Sequence, residues 1–589
     1  MLLDGAMTVA MEGPFILFDD ASARGAPARL YRTPYESICA TELSEVRPAL
    51  ERLSDAVNGG AHAAGFLAYE AGLAFEQRLA GGTRKAGGPL LWFGLFNGFE
   101  TVDVIDWLPD PAGGWVGKPE PRMSRGDYLA AAERVREHLF AGDFYQANLT
   151  FGCDVAVAGD PLAIYARLRA PSAAGWGGVV RHPEGWLLSL SPEQFFTIRG
   201  RDIEAKPMKG TAARSCDPVA DMAAIAELAA HPKQRAENLM IVDLLRNDLA
   251  RVAETGSVEV PELFKVETFP TVHQMVSRVT ARLREGIEAV GVIETIFPCG
   301  SITGAPKIAA IEALAELEPE PRGAYTGSMG WIEPGGGAAF NVLIRTLEIA
   351  GNSTIARLGL GSGLVVDSIA RDEWDECLLK GEFVSRAAPT ADLIETMRFD
   401  PHDGLIELDR HLDRLSASAD DLGFKFDRHA ARNELQAATF GRKRKAMARL
   451  LLSPTGMMAI ELKAFEAPGA VPVTVAVQPL PVDPGDFRLR YKTTDRAFFD
   501  EARRASGAYE TVFTDPEGKL TEGSFTNIFV ERDGSLVTPP LGRGLMAGVL
   551  RATLLEKGEA VEGDLTIDDL AGGFFVGNML RGLIPAKLA

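Results

Sequence analysis

Residues 386–392 read RAAPTAD, a short polar segment with a proline, and the pattern of apolar residues restarts directly after it. The proline disfavours helix at the residue before it and the neighbours offer nothing to a core, so the segment reads as a domain joint. A joint is required, because 589 residues exceed what one hydrophobic core accommodates. Beyond it come the strand-like LIETMRF (393–399), an Asp-Gly turn at 403–404, and HLDRLSASADDLGF (411–424) with helical spacing. Two units meeting near residue 388 are expected, with no internal repeat relating them.

A formal net charge of −20 excludes nucleic acid or an anionic membrane as main partner, since both need clustered cations. The one basic cluster, GRKRKAMAR (441–449), runs into the apolar LLLSP and reads as a strand with solvated ends. Cys39, Cys153, Cys216, Cys299 and Cys377 are scattered without a Cys-x-x-Cys pair, which argues against zinc and against a disulfide framework. The opening MLLDGAMTVAMEGPF lacks the basic start and sustained apolar stretch of an export signal. No apolar run approaches the roughly 18 residues of a membrane helix. A soluble cytoplasmic protein is the expectation.

Up to about residue 120 the apolar runs FILFDD, HAAGFLAYEAG and LLWFGLFNGF alternate with Gly/Pro breaks, which suggests an antiparallel sheet. From Ser124, a candidate cap, SRGDYLAAAERVREHLFAGD places Leu129, Ala132, Val135 and Leu139 on one helical face. Helices and strands alternate from there to about 385. The expected division is a strand-rich part over 1–120, a catalytic domain over 121–386 and a second domain over 392–589.

Three acids, an amine and a glycine segment stand out in the first unit. Glu237 opens a strong helical pattern, and Glu376 lies on a second with Lys380 one turn on; alone, that pair is ordinary decoration of an exposed helix. Together, carboxylates from two separate segments suit Mg²⁺, which keeps waters and takes few protein ligands. Glu193 precedes the aromatic pair Phe195–Phe196, whose bulk would raise its pKa toward that of a general acid. Lys209 stands near Lys206 and Arg214, and neighbouring cations favour a neutral, nucleophilic amine. Gly359, Gly361 and Gly363 would let backbone N–H groups approach a carboxylate.

The ordered segments SPEQFF, KPMKGT, ENLMIVDLLRNDL, TVHQMVS, FPCGSITGAPK, RGAYTGSMGWI, FNVLIRTLEI, GLGSGLVVDS and EWDECLLK resemble those of the chorismate-utilising enzymes, which include anthranilate, aminodeoxychorismate, isochorismate and salicylate synthases. The resemblance, over about 120–385, implies a large α+β domain around a Mg²⁺–chorismate site. It implies that Glu237 and Glu376 hold the metal and that Glu193 protonates the departing C4 hydroxyl. It also implies that His273, Ser301, Tyr325, Arg345, Gly361 and Lys380 contact substrate. The hydroxylating branches resemble one another in a water-activating lysine where this chain has Gln146, and an amide deprotonates no water. Where anthranilate synthases carry alanine, Lys209 matches the lysine of aminodeoxychorismate synthases. By that resemblance Lys209 attacks ring C2, and ammonia then adds at C4 to expel it. No cysteine stands in a glutaminase setting, so ammonia or a separate glutamine amidotransferase subunit is expected as partner.

After the joint, Lys492 in RYKTTDR, Glu522 in TEGSFTNIFV and Arg414 each have a plain reading as strand-end lysine, loop acid and helix-surface arginine. Together they suit pyridoxal 5'-phosphate, which needs an amine, an acid for the ring nitrogen and a cation for phosphate. The unit resembles the branched-chain aminotransferase and aminodeoxychorismate lyase family over about 390–589, an α/β type IV fold of pyridoxal-phosphate enzymes. The resemblance implies that Lys492 bonds the cofactor and that Glu522 pairs with the ring nitrogen. Arg414, Thr526, Asn527, Gly548 and Val549 would surround the phosphate, and Thr396 would assist proton transfer. A homodimer through this domain is also implied. Two departures stand out: the usual opening strands are missing, and TTDR follows the lysine. Either upstream residues fill the gap or the second site is weakened.

Taken together the resemblances imply a bifunctional route to 4-aminobenzoate for folate: amination of chorismate to 4-amino-4-deoxychorismate, then loss of pyruvate with Lys492 taking the C4 proton. The alternatives are an anthranilate synthase component, or the same synthase joined to an aminotransferase or to a cofactor-free docking module.

Overall fold

The computed structural model describes residues 13–22, 27–79, 87–269, 272–467, 469 and 471–589. Most of the opening segment on which the export reading rests lies outside the described residues. Among the described residues no helix is long and apolar enough to cross a membrane. The chain forms two compact units: one comprises 1–109, 118–155 and 165–387, the other 110–117, 156–164 and 388–589.

The first unit is built on two large sheets. One runs through Gln146–Gly159 (as far as Val155), Ile355–Leu364, Thr346–Ala350, Gly185–Ser189, Gly177–His182, Phe15–Asp19 and Ala28–Arg32. The other contains Met208–Ala213, Val272–Arg282, Asp202–Lys206, Gln194–Arg199, Ala338–Asn341, Ser328–Ile332, His62–Leu67, Leu91–Phe96 and Glu36–Ala40. The three apolar runs read as strands before residue 100 are strands Phe15–Asp19, His62–Leu67 and Leu91–Phe96. Between them stands a helix that the strand pattern did not suggest, Leu43–Asn58. Its inward residues Val46, Ala49, Leu50, Leu53 and Val57 recur at helical spacing, and a Glu42–Glu45 capping box starts it despite Pro48 within. In the core behind the second sheet, Phe196 stacks on Phe340 with ring centroids 5.1 Å apart.

Helix Arg125–Ala141 begins where expected, with Ser124 accepting from the Asp127 N–H, and ends at Gly142 in left-handed conformation. Tyr128, not Leu129, takes the inner position. Its hydroxyl meets Ser362 Oγ at 3.0 Å, and its ring lies 5.3 Å from that of Trp374. One side chain thereby fixes the helix to strand Ile355–Leu364 and to helix Ala370–Ala387, both of which carry expected site residues.

The second unit pairs strand Leu393–Asp400 with Ala446–Leu452, and the latter with Met458–Ala464, all antiparallel. Helix Leu408–Leu422 covers this sheet. The basic residues 441–445 are exposed and the strand begins at Ala446, as the sequence suggests. A second sheet of eight strands is mixed, with Val473–Pro479 parallel to both Glu510–Thr514 and Gly582–Leu588.

Residues 110–117 and 156–164, placed in the first unit by the sequence reading, belong to the second. Trp115 is 2 % exposed, donates from Nε1 to Leu422 O at 3.0 Å, and stacks on Phe424 at 5.5 Å. Upstream residues thus fill the core of the shortened unit, the first of the two outcomes left open. Truncating Trp115 to alanine in the full chain should therefore cost about 3–5 kcal/mol in that unit. Hydrogen exchange across 412–422 is the measurement. Acceleration is expected there while 46–57 keeps its protection, and unchanged exchange would show that the ring does not support this core.

Candidate active sites

In the first unit a carboxyl, an amine and an amide, all largely buried, come together from separate strands. Glu193, just ahead of strand Gln194–Arg199, is 7 % exposed and accepts a hydrogen bond at Oε1 from Ser301 Oγ (2.9 Å). Burial pushes its carboxyl above the ordinary value, against the pull of Ser301, Lys209 and Lys380. Lys209, on strand Met208–Ala213, shifts the other way. Burial holds its amine low and the Lys380 ammonium adds to this, while Glu193, Glu237 and Glu376 oppose it.

The cations expected beside Lys209 are engaged elsewhere. Lys206 Nζ donates to both oxygens of Glu267 (2.8 and 2.9 Å), and Arg214 Nε to both oxygens of Asp221 (3.0 Å). Lys206 ends the preceding strand and Arg214 follows the end of Lys209's own, where each meets its own acid. Lys380 acts in their place.

The glycine segment 359–363 is part of strand Ile355–Leu364 rather than an anion-binding loop. Its glycines make room. A Cβ at Gly363 would stand 2.9 Å from Gln146 Nε2 and 3.6 Å from Lys209 Nζ, and one at Gly359 would stand 2.0 Å from the Tyr325 ring. Gln146 is 2 % exposed and its Nε2 has no partner. Gly361 contributes its carbonyl, which accepts from Lys380 Nζ at 3.0 Å.

Arg345 has a left-handed backbone (φ 50°), and burial alone lowers its pKa. Among the described residues its guanidinium has no hydrogen bond or ion pair, and it is partly buried. Ser301 and His273, two expected substrate contacts, are engaged within the chain. His273 Nε2 lies 2.8 Å from Asp221 Oδ1 and its Nδ1 3.0 Å from Thr268 Oγ1, so both ring nitrogens are engaged. Tyr325 packs on Gly359, and burial pushes its phenol up.

Glu237 and Glu376 stand on helices Pro232–Ala250 and Ala370–Ala387. Burial raises the Glu237 carboxyl against Lys209 and Lys233, with Glu373 and Glu376 adding to the rise. Burial also works upward on Glu376, but Lys380, bonded to it at 2.8 Å, leaves it below its ordinary value. Among the described residues no group of three or more His, Cys, Asp or Glu side chains forms a metal cage. Two hard carboxylates that sense each other's charge nevertheless fit Mg²⁺, whose remaining ligands are waters and substrate oxygens.

In the second unit burial lowers the Lys492 amine to about 7, with Arg414, Arg496 and Arg449 assisting and Glu395 opposing. Glu522 is 3 % exposed and burial lifts its carboxyl to about 7. Its Oε2 accepts from Met546 N at 3.1 Å, and its Oε1 is buried without a partner. An orphaned acceptor and an unpaired amine in one unit fit a pyridine N–H and an aldehyde. The TTDR departure has a structural consequence, since Arg496 of that segment is the cation that most opposes the rise at Glu522.

The expected phosphate residues converge without all being free. Arg414 forms a fork with both Glu395 oxygens (2.8 Å each), and its Nη1 donates to Ala547 O at 3.1 Å, next to Gly548 and Val549. Asn527 Oδ1 lies so close to Gly548 that a Cβ there would stand at 1.9 Å. Thr526 gives its hydroxyl hydrogen to Glu510 Oε2 (2.7 Å), so its oxygen has no hydrogen left for a phosphate. Thr396 pairs in register with Arg449. Arg449 and its diagonal neighbour Arg398 each keep a buried Nε without a partner. Glu395, His411, Arg398, Arg449 and Glu510 were not singled out from sequence. The i, i+3 spacing of His411 and Arg414, both bonded to Glu395, was the available signal.

The family model for chorismate binding enzymes matches residues 14–386, and that for class IV amino-transferases matches 392–589. Aminodeoxychorismate synthase component 1 of Klebsiella aerogenes is 44 % identical over 254 residues, 43 % of this chain and 56 % of that protein. Anthranilate synthase component 1 of Methanothermobacter thermautotrophicus is 37 % identical over 269 residues, 46 % of this chain and 58 % of that protein. Such alignments span little more than half of the relatives' length. Anthranilate synthase component I from Streptococcus pneumoniae superposes with a TM-score of 0.54 at 22 % identity, covering 66 % of this chain and 95 % of that one, a likeness of fold. The chain belongs to the family of chorismate binding enzymes, and a class IV amino-transferase segment follows that region.

Proposed function

We propose that the first unit aminates chorismate to 4-amino-4-deoxychorismate and that the second removes pyruvate from that product to give 4-aminobenzoate. The observation that carries the first step is the meeting of Lys209 Nζ and the orphaned Gln146 Nε2 at Gly363, with the Glu193–Ser301 pair also in electrostatic reach of Lys209. Relatives named aminodeoxychorismate synthase component 1 support the same reading, and the word component points to a separate ammonia-supplying subunit.

Lys209, its amine kept neutral by burial, would bond to ring C2 while the C4 hydroxyl leaves as water with a proton from Glu193. Ammonia would then bond at C4, the C2–nitrogen bond would break to release Lys209 as a neutral amine, and a proton from the new ammonium would return to the Glu193 carboxylate. Arg345 is free to bind a substrate carboxylate bidentately. Glu237 and Glu376 would hold Mg²⁺, which when bound offsets charge on the ring carboxylate.

In the second unit Glu522 Oε1 would accept the ring N–H of pyridoxal phosphate and Arg414 would lie at the phosphate end. The cofactor, when bound, supplies an electron sink. Lys492, with an amine poised near neutrality, would take the C4 proton as pyruvate leaves. Arg398 and Arg449 each offer an unpartnered Nε–H to a substrate with two carboxylates.

Purified protein given chorismate, Mg²⁺ and ammonia should yield a para-aminated product by chromatography, and anthranilate would refute the proposal. Glu193→Gln should lower kcat for chorismate consumption by about 10²–10⁴-fold. The profile of kcat/KM against pH should be bell-shaped. Its acid side reflects protonation of Lys209, whose amine lies below the ordinary 10.5, and its alkaline side deprotonation of Glu193, whose carboxyl lies above the ordinary 4.5. A flat profile would remove the acid and amine roles. Lys492→Ala should let 4-amino-4-deoxychorismate accumulate and abolish the visible band of lysine-bound pyridoxal phosphate; 4-aminobenzoate formation at the wild-type rate would show that Lys492 is not the base.

A further inference from the structure

Ser301 is held from two sides. Its Oγ lies 2.9 Å from Glu193 Oε1 and 3.2 Å from Cys299 Sγ, and the three side chains are 3 %, 7 % and 4 % exposed respectively. A serine hydroxyl has one hydrogen to give. Directed at the carboxyl, it leaves the Ser301 oxygen as an acceptor, and Cys299 then has to be the donor. The sulfur already faces the Ser301 N–H; the opposite polarity would aim a second donor at it and would strand the thiol hydrogen in the core, a weaker arrangement. Two further contacts fix the turn: Thr303 Oγ1 donates to Cys299 O at 2.8 Å, and Thr303 N donates to Gly300 O at 3.2 Å.

Resting on the amination proposed above, we infer that Cys299 is a positioning residue for the acid: its thiol donates to Ser301, Ser301 donates to Glu193 Oε1, and the transferable proton is thereby left on Oε2. The chain of donors removes the choice between the two carboxyl oxygens. With Oε1 permanently an acceptor, a neutral Glu193 offers its hydrogen from one side only. The thiol is suited to the task because it stays protonated: burial, followed by the charge of Glu193, pushes it up to about 12. The other charged groups that act on the chain are Lys209 and Lys380, toward Glu193, and Lys307, toward Cys299. Lys307 is itself bonded to Asp248 Oδ2 at 3.0 Å and to Ile296 O at 2.8 Å, which leaves the chain's polarity to Cys299.

A cysteine packed in a core for its volume alone predicts something different, and two substitutions separate the cases. Cys299→Ala removes the donor; Cys299→Ser replaces a weak S–H donor by a stronger O–H donor of similar size. Chorismate consumption with saturating ammonia and Mg²⁺ should show kcat lowered about 2–10-fold in Cys299→Ala, with KM for chorismate little changed, the range expected for one neutral hydrogen bond. Cys299→Ser should restore it. Donation to the ionised acid stabilises that form, so the alkaline limb of the pH profile should move up in Cys299→Ala and down in Cys299→Ser. Equal limbs in all three proteins, or displacement in the same direction in both variants, would overturn the inference and leave the amination intact. If Cys299→Ala does not fold, the downward shift in Cys299→Ser alone decides. A wild-type protein that consumes no chorismate would instead overturn the function itself, and this inference with it.

Discussion

Burial of ionisable groups with an incomplete set of partners is the constraint on which both units turn. Removing a charged group from water costs several kcal/mol unless it is paired or changes protonation. Glu193 and Lys209 in the first unit, and Glu522 and Lys492 in the second, are all moved by desolvation toward their neutral forms. That displacement turns a carboxylate into an acid and an ammonium into a nucleophile or base. Lys209 and Glu522 stand on strands and Glu193 directly precedes one, while Lys492 lies in the segment between helices Phe487–Arg490 and Ala497–Ser506.

Partnering within the chain separates two kinds of site residue. His273, Glu376, Lys380, Arg414 and Thr526 are satisfied by Asp221, by each other, by Glu395 and by Glu510. Among the described residues Gln146 Nε2 and Glu522 Oε1 are buried without a partner. The first kind holds geometry whether or not a ligand is present. The second kind gains its missing partner only when a ligand arrives, and these are the groups whose removal should affect binding of substrate or cofactor more than stability.

The residues of the proposed sites were named from the sequence; which of them touch was not legible there. Glu193, Lys209 and Ser301 were found by chemistry and motif, but the cation acting on Lys209 was sought among near neighbours, and Lys380 stands 171 positions away in the numbering. Packing of helix Ala370–Ala387 against strand Ile355–Leu364 makes this approach, and nothing in a one-dimensional pattern reports it. The helix pair Glu376–Lys380 shows the opposite case. Its reading as an ordinary i,i+4 pair holds at 2.8 Å, yet the same lysine also bonds Gly361 O and acts on both Glu193 and Lys209. A plain helix pair and a place in the proposed site coexist in a single side chain.

The joint at 386–392 illustrates a different limit. It marks where the pattern restarts, but the second core closes around Trp115, and that ring's hydrogen-bond acceptor, Leu422 O, lies 307 residues away. Discontinuity of this kind has no compositional signature, because Trp115 is only a buried aromatic in a run of short strands. Its consequence is physical. A unit whose core includes residues from before the joint cannot be reproduced by cutting at the joint, and Trp115 from before it packs on Phe487, 5.5 Å away and close in sequence to Lys492.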